Sequence, residues 1–240
     1  MISVSIKNAS VQYKHHVLFE NLQLTLTAGE WTCLLGQSGI GKSSLLRLLA
    51  GLLDSDGAGD IRCSDDQILD GRVAYMAQTD LLMPWLSVLQ NVVIGARLRG
   101  HLNQHEMEKA KSLLHKVGLD KDSDRYPSEL SGGMRQRAAL ARTMFEDKPV
   151  ILMDEPFSAL DAITRHRLQT LAAELLKHKT VLLITHDPME ALRLGHRIII
   201  LGGEPVQLGQ AIMPEGTPPR LTDEPQVVAL QSEVWQQLAA

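Results

Sequence analysis

The chain has 240 residues, of which 44% are hydrophobic and 22% are charged, and its formal net charge is -4. This composition is that of a globular protein with a sizeable core, and the mildly negative charge argues against nucleic-acid binding through bulk electrostatics. We therefore expect no nucleic-acid partner. The two cysteines, Cys33 and Cys63, lie far apart in the sequence, so we expect neither a disulfide scaffold nor a thiolate metal site.

Hydrophobic periodicity predicts short strands first, then a helical stretch, then strands and helices in alternation. The predicted strands are residues 3–6, 22–26, 31–35, 73–77, 150–154, 181–185 and 197–201. The predicted helices are residues 44–53, 87–99, 104–117, 131–145, 162–178 and 188–194, with a last amphipathic helix marked by Val227, Leu230, Val234 and Leu238. We expect turns at residues 14–16 and 28–30 and a Gly/Asp loop at residues 54–60.

Strands that alternate with helices indicate an α/β fold with a mainly parallel sheet and helices on both faces. The longest apolar runs have the length of a strand, far below the ~20 residues that a membrane-spanning helix needs. The N-terminus has no basic start followed by an apolar run, so we expect no export signal. If the chain serves transport, other chains must supply the pore.

A phosphate-binding loop follows the predicted strand 31–35 and opens the next helix. Its residues are Gly36, Gln37, Ser38, Gly39, Ile40, Gly41, Lys42 and Ser43. The glycines let successive backbone N–H groups point at a phosphate, and the helix N-terminus, which includes Ser44, adds partial positive charge. Lys42 is expected to reach the β- and γ-phosphates, and the Ser43 hydroxyl to bind Mg²⁺. The pattern and its context predict a nucleotide site.

Two carboxylates, Asp154 and Glu155, come directly after the apolar strand 150–154. In a parallel sheet this end of the strand lies at the ligand-binding edge, next to the phosphate loop. We expect Asp154 to hold Mg²⁺ through water, and Glu155 to orient and deprotonate the attacking water. A solvated acidic turn is the alternative, and the phosphate loop favours catalysis over it.

Residues 130–137, Leu-Ser-Gly-Gly-Met-Arg-Gln-Arg, resemble the LSGGQ signature of ATP-binding cassette (ABC) proteins. Ser131 and the helix N-terminus would present donors to an anion, while Gly132 and Gly133 allow close backbone approach. A simple helix N-cap at Ser131 is the alternative, but it does not explain two glycines that weaken a helix start. Met134 stands where the signature usually has glutamine, and the polar pattern after it is kept.

The resemblance covers the chain from Tyr13 to His186 and implies roles for four further residues. Tyr13 looks like the aromatic residue that stacks on adenine, and Gln78 like the Q-loop glutamine that touches Mg²⁺ and senses the γ-phosphate. Residues 158–161, Ser-Ala-Leu-Asp, look like the D-loop, with Asp161 at the nucleotide, and His186 looks like the switch histidine. The expected catalytic residues are therefore Glu155, His186 and Gln78, the expected metal ligands Ser43, Gln78 and Asp154, and the expected cofactors ATP and Mg²⁺.

The resemblance also implies a domain organisation. One ABC ATPase domain would span residues 1–240, with a P-loop NTPase core and an N-terminal antiparallel β subdomain in residues 1–77 and 147–240. Residues 78–146 would form an inserted α-helical subdomain that carries the signature.

For assembly, the resemblance implies a homodimer in which the signature of one subunit faces the phosphate loop of the other. It implies two integral-membrane permease subunits and, indirectly, a solute-binding protein, with this chain peripheral at the cytoplasmic face of the inner membrane. The LSGGMRQR form is similar to importers of nitrate, sulfonate and taurine, and residues 82–86 to relatives that import pyrimidine precursors of thiamine.

Three questions stay open from the residues alone. The apolar segment 80–86, which contains Pro84 and Trp85, either contacts the membrane subunit or packs inside the helical subdomain. His15 and His16 are more typical of a solvated turn than of a metal site, because no acidic or thiolate partner lies at ligand spacing. The alternative function is a soluble ABC-type ATPase that acts on nucleic acid or protein complexes.

Overall fold

The computed structural model describes residues 1–13, 16–53 and 59–239, without the side chains of residues 12, 13, 16 and 239. The turn expected at residues 14–16 and most of the loop expected at residues 54–60 lie outside the described residues. So does the side chain of Tyr13, for which stacking on adenine remains a prediction.

The secondary structure follows the predicted alternation. The strands are β1 (Val4–Tyr13), β2 (His16–Leu26), β3 (Trp31–Leu35), β4 (Asp60–Cys63), β5 (Val73–Met76), β6 (Val150–Asp154), β7 (Thr180–Ile184), β8 (Arg197–Gly202) and β9 (Gln207–Leu208). The helices are α1 (Lys42–Leu49), α2 (Val88–Val92), α3 (Ile94–Leu98), α4 (Gln104–Lys116), α5 (Gly132–Phe145), α6 (Ala162–Leu175), α7 (Pro188–Leu194) and α8 (Pro225–Ala239). None of the helices in the described part of the chain is long and apolar enough to cross a membrane.

The chain divides into two units. The first comprises Met1–Val73, Pro149–Glu155 and Leu176–Ala240, and the second comprises Ala74–Lys148 and Pro156–Leu175. The expected organisation placed all of residues 147–240 with the core, whereas residues 156–175 group with the signature-bearing unit. The reason is visible in the backbone before α6, where the N–H of Ala159 donates to the side chain of Gln136 on α5.

The first unit contains two sheets. In the antiparallel one, β1 lies between β2 and β4, and its buried Val4 and Ile6 alternate with more exposed neighbours. In the other sheet, the strands of this unit run in the order β6-β7-β3-β8-β9, parallel except for β9. Every residue of β3, β6 and β7 is buried, as expected for continuous apolar strands covered on both faces. The expected α/β fold is confirmed.

The second unit contains α2 to α6. One continuous helix was predicted over residues 87–99, and this was wrong: α2 and α3 are separate, with Val93 ending the first at φ -90° and ψ 4°. The β-branched run from Val92 to Ile94 contributes to the break, since such side chains crowd the preceding helical turn. Helix α5 packs against α2 and α4.

A buried arginine that the sequence analysis did not single out anchors the tail of the first unit. Arg220 is only 2% exposed. Its guanidinium donates to five backbone carbonyls, those of Leu192, Gly195, Pro214, Glu215 and Gly216. Each donor of the planar fork is therefore satisfied by backbone, which offsets the cost of burying the charge. The contacts join the chain before α8 to the end of α7.

His196 supports a prediction about pH. The ring atom Nδ1 of His196 accepts from the backbone N–H of Trp31 at 3.0 Å. The backbone N–H of His196 donates to the Trp31 carbonyl at 2.8 Å. Burial lowers the pKa of His196 from its ordinary value near 6.5; Glu30 opposes this shift and Arg220 adds to it. The unfolded chain therefore takes up this proton first as the pH falls. The stabilisation is complete above about pH 6.5 and is lost progressively below it.

We expect the free energy of unfolding to fall between pH 7 and pH 5, and to fall less in His196→Asn. Asparagine keeps an acceptor near Nδ1 but does not titrate. Urea denaturation at several pH values measures both slopes. Equal slopes for the two proteins would contradict this role of His196.

Candidate active site

The phosphate loop joins β3 to α1, as its sequence predicts. Gly36 has φ +155° and Gly41 has φ +105°, and a Cβ at Gly36 would lie 3.0 Å from the carbonyl oxygen of Leu201. At Gly41 a Cβ would meet the ring of Phe19 at 3.1 Å. Both positions therefore require glycine, for conformation and for space. Between them, Gln37, Ser38 and Gly39 are exposed at the tip of the loop.

The side chain of Lys42 lies within the phosphate loop and bonds to its backbone. Its side chain is buried, and Nζ donates to the carbonyls of Gly36 at 2.7 Å and Gln37 at 2.9 Å. Burial lowers the pKa of Lys42, and the carboxylates of Glu155 and Asp154 oppose that shift. The ammonium thus donates to two backbone carbonyls and also feels the charge of two carboxylates. Such a donor suits the charge of a phosphate.

Asp154 ends β6 and is 3% exposed. Burial raises the pKa of this carboxyl, while a hydrogen bond from the Ser43 hydroxyl opposes the rise and the charge of Glu155 adds to it. Hydroxyl and carboxylate oxygens are the kind of ligand that Mg²⁺ takes, together with water and phosphate oxygens. Within residues 1–13, 16–53 and 59–239, no group of three or more His, Cys, Asp or Glu side chains could hold a metal. Ser43 and Asp154, which share a hydrogen bond, supply two oxygens that suit Mg²⁺.

Glu155 and His186 meet at the same edge of the sheet. Glu155 Oε1 lies 3.2 Å from His186 Nδ1; the glutamate side chain is 14% exposed and the histidine 64%. Glu155 has φ +49° and donates its N–H to the carbonyl of Ile184, the last residue of β7, at 2.9 Å. A positive φ at a non-glycine residue is strained, and such strain concentrates at functional sites.

Hydrogen bonds of Asp187 stabilise the turn that carries His186. The N–H of Asp187 donates to the Thr185 hydroxyl at 3.0 Å. The carboxylate of Asp187 then caps α7 by accepting from the N–H groups of Met189 at 2.9 Å and Glu190 at 3.4 Å. The imidazole of His186 is thus presented to solvent from a fixed backbone.

The second unit carries the other predicted site residues. Gln78 is exposed shortly after β5. Ser131 caps α5, accepting from the N–H of Met134 at 3.2 Å, so the capping role weighed for it is real. Asp161 accepts from the N–H of Thr164 at 3.0 Å, and the Thr164 backbone and hydroxyl lower the pKa of that carboxyl.

The predicted residues therefore fall into two sets. The first unit gathers Lys42, Ser43, Asp154, Glu155 and His186 around one edge of a sheet. The first unit also holds Tyr13 and the rest of the phosphate loop, whereas the second unit holds Gln78, Ser131, Gly132, Gly133 and Asp161.

Most of the apolar segment 80–86 is exposed, although Leu82 is buried. Trp85 is 70% exposed and Leu81 58%, so Trp85 does not pack inside the helical unit. Arg142 of α5 donates to the carbonyls of Asp80 at 2.6 Å and Leu81 at 2.8 Å. Leu81 has φ +46°, and the two bonds from Arg142 offset the strain of that conformation. Sequence periodicity gave no signal for Arg142, because its partners are backbone atoms.

Comparison with known proteins agrees with the resemblance. The model of the ABC transporter family matches residues 19–158. An uncharacterized ABC transporter ATP-binding protein of Haemophilus influenzae is 46% identical over 238 residues, which is 98% of each chain. The aliphatic sulfonates import ATP-binding protein SsuB 1 of Rhodococcus jostii is 40% identical over 84% of this chain and 80% of its own. SsuB 2 of Burkholderia lata is 40% identical over 94% of this chain and 84% of its own.

Solved structures show the same fold. A dimeric post-hydrolysis state of the ATP-binding cassette MJ0796, bound to ADP and Pi, matches with a TM-score of 0.78 and 27% identity over 90% of this chain and 100% of that chain. An inward-facing putative metal-chelate type ABC transporter matches with a TM-score of 0.73 and 28% identity over 88% of this chain and 84% of that chain.

Proposed function

The chain belongs to the ABC transporter family as an ATP-binding cassette ATPase, and from that premise we propose that it is the ATP-hydrolysing subunit of an importer. One observation carries the catalytic part of the proposal. Glu155 and His186 lie 3.2 Å apart at the sheet edge where Lys42, Ser43 and Asp154 converge. A structural acidic turn would need neither the histidine nor the buried lysine.

Nucleotide binding is assigned to the phosphate loop. Backbone N–H groups of residues 37–44 would surround the phosphates, and Lys42 would turn from the loop carbonyls to the β- and γ-phosphates. Ser43, Asp154 and Gln78 are the residues that would hold Mg²⁺. When bound, the ion neutralises charge that develops on the phosphate oxygens.

Hydrolysis is assigned to the pair at the sheet edge. Glu155 would accept a proton from the attacking water. Its backbone is held by the bond from its own N–H to the Ile184 carbonyl, and its carboxylate lies beside His186. His186 would orient Glu155 and donate to the γ-phosphate. The exposure of His186 supports this role, since its ring can reach a ligand without a change in the backbone.

The complete site would require a second copy of the chain. The signature residues Ser131, Gly132 and Gly133 and the D-loop residue Asp161 would contact the nucleotide held by the partner's phosphate loop. The dimeric state of the similar cassette MJ0796 supports this arrangement. ATP would close the dimer and hydrolysis would reopen it, so the nucleotide supplies the differential binding energy that moves the attached subunits.

The proposed transport partners are two permease subunits and a solute-binding protein, with this chain peripheral at the cytoplasmic face of the inner membrane. Aliphatic sulfonates are the solute class we propose, because relatives about 40% identical are named for their import. The experiment is reconstitution of the chain with candidate permease subunits and a candidate solute-binding protein from the same organism. ATP hydrolysis should rise when alkanesulfonates are added to the binding protein.

Stimulation by nitrate or a pyrimidine instead would contradict the sulfonate assignment and leave import standing. Co-purification with ribosomes or DNA, without membrane subunits, would contradict import and favour the soluble alternative.

The exposed segment 80–86 is the proposed docking surface for a permease subunit. Trp85→Ala should weaken assembly by at least about tenfold, since a buried aromatic anchor commonly contributes more than one kcal/mol at an interface. ATP binding by the isolated chain should be unchanged. Trp235→Ala is the matched control, because Trp235 is 54% exposed on α8 in the other unit. Co-purification with detergent-solubilised permease measures the effect, and equal recovery of both variants would contradict the assignment.

A further inference from the structure

We propose that Gln136 is a positioning residue that fixes the start of the D-loop to the N-terminal half of α5. The proposal rests on the proposed function, because it concerns how two parts of the composite site are held in register. Gln136 is 6% exposed, and its Oε1 accepts from the backbone N–H of Ala159 at 2.8 Å. Its Nε2 donates to the hydroxyl of Ser158 at 3.3 Å. Both ends of one buried amide thus contact consecutive D-loop residues.

Gly133 provides an independent observation of the same contact. A Cβ at this position would lie 3.2 Å from the carbonyl oxygen of Ala159 and 3.5 Å from Leu160 Cδ2. The φ of Gly133 is not left-handed, so the requirement for glycine is one of space. The absence of a side chain at Gly133 therefore lets the D-loop backbone pack against α5, in addition to allowing a ligand to approach.

The far end of the D-loop is held in a different way. Asp161 accepts from the N–H of Thr164 at 3.0 Å, and the carbonyl of Leu160 accepts from Arg165 Nη2 at 3.0 Å. Both donors belong to α6. Gln136 therefore supplies an attachment to α5 that the α6 contacts do not supply.

This arrangement has a consequence for catalysis. The signature and the D-loop would both face the nucleotide held by the partner chain, and Gln136 sets the distance between them. Without its two hydrogen bonds the D-loop can shift relative to Ser131. Displacements of that kind lower the rate of a reaction more than the affinity for its substrate. The phosphate loop lies in the other unit, so ATP binding to a single chain should be unaffected.

The test compares Gln136→Met, Gln136→Glu and the control Thr143→Val. Methionine keeps the volume but makes neither hydrogen bond, whereas glutamate keeps the acceptor for the Ala159 N–H. Thr143 is also buried on α5, where its hydroxyl donates to the Ala139 carbonyl of the same helix at 2.9 Å. The native chain and the three variants are assayed for ATP turnover, for KM, and for stability in urea.

We expect Gln136→Met to lower kcat by about tenfold or more with KM changed less than twofold. Thr143→Val should keep kcat within twofold. Gln136→Glu should be the less stable of the two glutamine variants, because it buries a charge, yet it should be the more active. A purely structural role would rank activity with stability, so this reversed order is the decisive readout.

If both glutamine variants match the native kcat, or if their activity follows their stability, the inference is overturned while the proposed function stands. A native chain that fails to hydrolyse ATP would overturn the proposed function, and this inference with it.

Discussion

The Glu155→Gln variant is expected to bind ATP as tightly as the native chain while its turnover falls by about 10²- to 10⁴-fold, the usual contribution of a general base. The amide has the shape of the carboxylate but does not accept the proton of the attacking water. Binding should persist because Lys42 and the phosphate loop are unchanged. Release of inorganic phosphate measures turnover, and calorimetry measures affinity.

Glu20→Gln is the control for this experiment, since Glu20 is an exposed glutamate of β2 in the same unit. It makes the same change of charge away from the sheet edge and should leave turnover within twofold. Turnover of Glu155→Gln close to that of the native chain would show that another group deprotonates the water.

The Lys42→Ala variant is expected to lose both hydrolysis and tight nucleotide binding. Two charge-assisted hydrogen bonds to phosphate, at about 1.5–3 kcal/mol each, correspond to a weakening of ATP binding by about 10²-fold or more. The loss of the ammonium also leaves two carboxylates, Asp154 and Glu155, without the cation that faces them. Both effects lower the affinity for a polyanion.

A fluorescent ATP analogue measures the affinity, and Lys177→Ala, which removes an exposed lysine after α6, is the control. An affinity of Lys42→Ala within fivefold of the native value would contradict the assignment of the phosphate loop. Circular dichroism checks that the fold survives the loss of the two hydrogen bonds from Lys42 Nζ to the carbonyls of Gly36 and Gln37.

Much of the fold could be predicted because its signals are local. The buried strands β3, β6 and β7 are mostly apolar runs. Gly36 follows the first, Asp154 ends the second and Thr185 follows the third. The glycines of the phosphate loop likewise reflect backbone angles that few other residues adopt. The sequence pattern indicates where strands end and where glycines are needed. From these two signals, Lys42 and Glu155 are predicted to lie at the same edge of the sheet.

The contacts that sequence did not reveal are between side chains and distant backbone. Arg220, Arg142 and Gln136 each bond to carbonyl or amide groups that every residue possesses, so no partner residue type signals the contact. Gln136 gave one weak sequence signal. It is a polar residue on the same helical face as the apolar Ala139 and Leu140 of α5. The break at Val93 was missed for another reason: β-branching weakens a helix only slightly, and tertiary packing decides the outcome.

In the proposed dimer, the phosphate loop of one chain and the signature of another enclose the same ATP. Light scattering on the Glu155→Gln variant, with and without ATP and Mg²⁺, measures this directly. We expect twice the mass of one chain with ATP and the mass of one chain with ADP. We also expect that adding Ser131→Arg leaves ATP binding intact but abolishes the dimer. A Glu155→Gln chain that stays single at saturating ATP, or a Ser131→Arg double variant that still dimerises, would contradict it.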